Sequence, residues 1–155
     1  MLGPLTTLAR VAPAWTLAAL LLAAIPAAGQ PRPHETTLSA AEWTEVRTVV
    51  GAQLAALQAG DGDRAFAHAS PGIRAQFGDA ANFMRMVREG YAALVAARYT
   101  EFLDGAVIDG VVIQPLRLVA PDNTVQVALY TMQKMDDGRW RIAGCALAPS
   151  TVRAA

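Results

Sequence analysis

Val111–Ala148 reads "VVIQPLRLVAPDNTVQVALYTMQKMDDGRWRIAGCALA". Its apolar residues recur at every second position and its interruptions, "APDN" and "DDGR", are turn chemistry, so this stretch decides the fold. The spacing predicts strands over Val111–Val119, Thr124–Met135 and Trp140–Ala148, with one more ahead of them at Arg98–Leu103 beyond "DGAVIDG". Four consecutive strands with short connections imply an antiparallel meander. Val125, Val127 and Leu129 share one face of the third strand, while Ala128, Tyr130 and Met132 share the other. Both faces are therefore expected to be covered. Helices can cover one; the other meets a second copy of the chain, or the sheet curls onto its own helices. Pro115 lacks a ladder donor and points to an edge or a bulge within the second strand.

Upstream of Tyr91 the pattern is helical. Ser39 and Glu42 form a capping box, with Leu38 and Trp43 at the staple positions. Trp43, Val46, Val50, Leu54 and Leu57 make an apolar stripe at spacings of three and four, which Gly60 is placed to stop. In "GDGDRAFAHASPGIRAQFG", Gly60–Gly78, either Asp61 or Asp63 can cap a short helix holding Phe66 and His68. Ser70 caps the next, with Pro71 in its first turn, and Asp79 opens a third that Gly90 ends. Helices followed by strands predict an α+β domain, with helices packed on a curved antiparallel sheet of about four strands.

The N-terminus differs in kind. Arg10 precedes an apolar run of about 15 residues, Val11–Ile25, and then "PAAGQ". This is short of the roughly 20 apolar residues of a membrane span and has no charged stop-transfer flank. It predicts a signal peptide over 1–29, cleaved after Gly29, and an exported chain with no stable membrane span after cleavage. In a Gram-negative source the destination is the periplasm. Residues 30–38 read as an extended lead-in, 39–150 as one α+β domain, and 151–155 as a tail. Lys and Arg number 13, as do Asp and Glu, without a run of either sign. Without a basic stripe, nucleic acid is not an expected partner.

The stretches "VGAQLAALQAGDGDRAFAHASPGIRAQFG", "NFMRMVREGYAAL", "VVIQPLRLV", "ALYTMQK" and "GRWRIAGCALAPS", spread over about residues 43 to 150, resemble the bacterial family called domain of unknown function 4864. That family is similar in build to the nuclear-transport-factor-2-like folds, in which helices and a bent sheet form a cone around a pocket. The resemblance implies fold and export, and assigns no catalytic residue.

Candidate chemistry is sparse. His68 is the candidate acid/base residue, lacking an assigned partner in the sequence. Cys145 lies in the apolar segment "IAGCALA" and reads as a small hydrophobe. "DGD" at Asp61–Asp63 lacks the remaining ligand positions of a calcium loop, and no pair of His or Cys has zinc spacing, so neither metal nor cofactor is expected. Tyr99, Glu101, Arg117 and Tyr130 are candidate ligand-binding residues on strands, although parity forbids all polar strand residues from lining one cavity. The preferred function is non-catalytic binding of a small apolar molecule or a protein partner, with a homodimer through the sheet expected. The alternatives are an acid/base enzyme of isomerase, dehydratase or hydrolase type using His68, and a structural dimer whose cavity is filled.

Overall fold

The computed structural model describes residues 37–149. The expected signal peptide, the lead-in as far as residue 36 and the C-terminal tail lie outside the described residues. Five helices precede the sheet: α1 (Ala40–Gln58), α2 (Gly62–Ala67), α3 (Pro71–Phe77), α4 (Ala80–Gly90) and α5 (Ala92–Ala96). The strands are β1 (Tyr99–Phe102), β2 (Ala106–Ile108), β3 (Val111–Val119), β4 (Val125–Lys134) and β5 (Trp140–Pro149).

Side-chain caps set the helix starts. Ser39 accepts from the Glu42 amide while the Glu42 carboxylate accepts from the Ser39 amide, completing the capping box. Glu42 also takes the Lys134 ammonium at 2.8 Å, so the start of α1 is tied to the end of β4. Asp61, rather than Asp63, caps α2; Ser70 caps α3 with Pro71 beside it; Asp79 caps α4. Within Gly60–Gly78 the caps thus engage Asp61 and Ser70. Gly60 and Gly78 take φ of 71° and 77°, a left-handed turn that a side chain resists.

The sheet is antiparallel throughout, in the order β1-β3-β4-β5, with β2 also paired to β3. It has five strands instead of four because Ala106–Ile108, inside the expected "DGAVIDG" turn, pairs with Val111–Ile113. Asp109 and Gly110, both at positive φ, make the two-residue hairpin between them. β1 and β2 thus lie end to end along the same side of β3, interrupted at Leu103–Gly105.

That interruption corrects the reading of Pro115, which sits within β3, between neighbours on both sides. Its carbonyl accepts from the Leu103 amide, so its imino side also faces the gap between β1 and β2. The ladder to β4 loses no donor. Gln114, fully buried, donates to the Leu103 and Pro115 carbonyls at 2.8 and 2.9 Å and pins the gap. Gly105 leaves room for Trp43 over the same gap: a Cβ there would lie 2.2 Å from the indole ring.

The helices pack on one face of the sheet, where Val112, Leu116, Leu118, Ala128, Tyr130, Met132, Trp140 and Ile142 are buried. From α1, Val46, Val50, Leu54 and Leu57 meet them, as the three-and-four spacing predicts. Each such side chain, fully buried, contributes about 1.5–3 kcal/mol. At the free side of β5, Ile142 donates to the His68 carbonyl and accepts from the Ser70 amide, at 2.9 and 2.8 Å. The α2–α3 connection therefore occupies part of that edge.

Candidate functional site

Between the helices and the sheet lies a cavity of about 400 Å³, within the size range of small-molecule sites. Leu57 and Gln53 of α1, Ile73 and Phe77 of α3, and Phe83, Met86 and Val87 of α4 form its helical walls. Tyr91 and Leu94 close one end, while Tyr130, Ile142 and Cys145 supply the sheet wall. The aromatic wall is fixed by contact: Phe83 lies 5.3 Å from Phe66 and 5.9 Å, edge-on, from Phe77, measured between ring centroids. Gln76 stands exposed at the mouth, which continues into an outer hollow bordered by Asn82, Arg85 and Glu89.

Polar groups in the cavity are few, and most are committed. Gln53 donates to the Ala65 carbonyl at 3.2 Å and holds α2 against α1. Tyr91 donates its hydroxyl to the Cys145 carbonyl at 2.7 Å. Tyr130 is the exception: it is wholly buried, and its hydroxyl has no hydrogen-bond partner among the described residues. A buried hydroxyl without a partner costs about 1–3 kcal/mol. The oxygen lies beneath the accessible surface of the wall, so a ligand reaches it only if side chains of the wall shift.

Among the described residues no Asp, Glu, Lys, Arg or His lines this cavity. Its titratable groups are held neutral by burial, which pushes Tyr130 and Tyr91 above the usual phenol range and Cys145 up to about 12. For these described lining groups burial favours the protonated form, and it holds back the Cys145 thiolate that nucleophilic attack requires. The cavity can therefore bind a neutral apolar body and offer it a hydrogen bond.

The remaining candidates lie elsewhere. His68 ends α2 and borders a separate hollow together with Thr44, Glu45, Asp137 and Arg141. Burial, then the Arg141 and Arg64 charges, lower its pKa. No carboxylate hydrogen-bonds to its ring among the described residues, and Asp137 is engaged by Arg139. Tyr99, Glu101 and Arg117 stand on the face of the sheet away from the helices, where Arg117 and Glu101 pair at 2.7 Å. Of the four strand candidates, Tyr130 alone lines the cavity. Sequence reading missed Gln53, Tyr91 and Met86 as its neighbours: Gln53 and Met86 lie on separate helices and Tyr91 in the joint between α4 and α5, and no spacing links them. Among the described residues no group of three His, Cys, Asp or Glu side chains could hold a metal ion, and no helix is long and apolar enough to cross a membrane.

None of the curated proteins and none of the solved structures matches the chain. A family profile matches residues 39–155, which spans every described helix and strand, and the chain belongs to that family, the Domain of unknown function (DUF4864).

Proposed function

We propose that this protein is a non-catalytic binding domain for a small, neutral, mostly apolar molecule that presents one hydrogen-bond acceptor. The observation that carries the reading is the unpaired Tyr130 hydroxyl behind the wall of an apolar cavity of about 400 Å³. Burial favours the neutral phenol, so it serves as a donor to a carbonyl or ether oxygen. A carboxylate is disfavoured as the buried end of the ligand, because no cation among the described lining residues offsets the loss of its hydration. The polar part of such a molecule belongs at the mouth, near Gln76, Asn82 and Arg85.

We also read the helices-then-sheet build around a hollow as nuclear-transport-factor-2-like, and the N-terminal "VAPAWTLAALLLAAIPAAGQ" as an export signal. The ligand is then met outside the cytoplasm. Acid/base chemistry at His68 lacks support, since neither Glu45 nor Asp137 of the same hollow hydrogen-bonds to its ring, the charges that act on it are those of Arg141 and Arg64, and the hollow is separate from the cavity. A native mass spectrum of the protein purified from its exported compartment tests the proposal. A mature chain beginning at Gln30 and carrying a discrete extra mass that leaves on denaturation is the expected result. A bare chain that also fails to bind any neutral apolar probe added to it would end the binding proposal, and retention of residues 1–29 would end the export proposal.

A further inference from the structure

The sheet has a second face, away from α1–α5, that is apolar over much of its extent, with Thr131, Gln133 and Arg141 gathered at one end. Tyr99, Ile108, Val111, Pro115, Val127 and Leu129 stand on it, and none of these side chains belongs to the helix-covered core. The large hydrophobics most exposed among the described residues, Tyr99 at 54%, Ile108 at 55% and Val111 at 42%, are all here. Glu101 and Arg117 neutralise one another on the same face at 2.7 Å.

We propose that this face is the interface with a second copy of the chain, packed sheet on sheet. Three observations select that occupant. First, Glu101 and Arg117 cancel within the face, and its other charge, Arg141, stands at the β5 margin beside the hollows bordered by Asp137, so the apolar middle of an identical face can meet it without burying an unpaired charge. Second, β4 and β5 are 10 residues long. At about 3.3 Å per residue and about 4.8 Å between strands, four strands present roughly 600 Å². Two copies then bury about 1,200 Å², the lower end of stable specific interfaces. Third, both edges of the sheet are interrupted, by the Leu103–Gly105 gap on one side and by the His68–Ser70 backbone on the other. A partner strand has no continuous edge to extend, which leaves the face. Aligned sheets pack in this way with about 10 Å between them.

The inference is independent of the cavity's ligand. The test is light scattering after size exclusion over a concentration series, using the full chain expressed with its own N-terminus and purified as it accumulates. The expected result is a reversible dimer. Glu101→Arg should weaken it by about tenfold or more, because each face then brings two unpaired cations, and Glu101→Arg with Arg117→Glu should restore it. Ile108→Lys with Val111→Lys, at positions exposed in the single chain, should give a monomer whose circular dichroism and melting match the parent. A wild-type monomer at every concentration would overturn the proposal, as would a dimer indifferent to all these changes.

Discussion

At the scale of single residues, the environment decides which groups could act. Tyr130 and His68 are both amphipathic and partly or wholly buried, yet they answer differently. The Tyr130 hydroxyl has no partner, so replacing it with hydrogen removes an unmet desolvation cost. Tyr130→Phe should raise the stability of the ligand-free protein by about 1 kcal/mol in urea unfolding. A loss of similar size would mean that the hydroxyl is paired in solution. His68 is neutral in the fold because burial and two nearby arginines disfavour its cation. Its folded pKa lies below 6.5, so its contribution to stability is complete above the unfolded value near 6.5 and is lost as pH falls through the lowered folded value. Proton resonance titration of its ring should give a midpoint below 6.5, and His68→Gln should flatten the stability profile beneath that pH. A midpoint above 6.5 would reveal a carboxylate partner and revive the acid/base reading.

At the scale of elements, what was legible was local. The capping box, the stripe of α1, the Ser70–Pro71 start of α3 and the bounds of β3 depend on residues a few positions apart, and all appear where spacing predicts. Ala92–Ala96 and Ala106–Ile108 were missed because five and three residues are too few to display a period. Pro115 was misread for a different reason: its tolerance depends on a gap in another strand, which only pairing reveals. The start of α1 also carries a pH dependence. The Lys134 ammonium, then the Ser39 amide and hydroxyl, hold the Glu42 carboxyl down to about 2. Its contribution is complete above the ordinary glutamate range and is lost as pH falls toward 2, so Glu42→Gln should remove part of the acid-side decline. Ser39→Ala should cost about 1 kcal/mol at neutral pH by the same unfolding measurement. No change in either variant would show that α1 is held by its apolar face alone.

At the scale of the whole molecule, the site is a product of assembly. Alternation along each strand made it readable that the polar strand residues cannot all line one cavity, but only the pairing register shows that Tyr130 turns inward while Arg117 and Glu101 turn outward. Gln53, Met86, Tyr91 and Cys145 come from elements far apart in the chain, and no spacing announces that they enclose one space. The α+β fold followed from pattern, while the cavity followed from packing. Its central chemical claim is a buried phenol awaiting an acceptor. Acetophenone and ethylbenzene have nearly the same shape and differ in one carbonyl oxygen, so their affinities, measured by calorimetry on wild type and Tyr130→Phe, isolate that bond from packing and solvation. The acetophenone-to-ethylbenzene affinity ratio should fall by about tenfold in Tyr130→Phe. An unchanged ratio, or no binding of either molecule to the wild type, would contradict that claim.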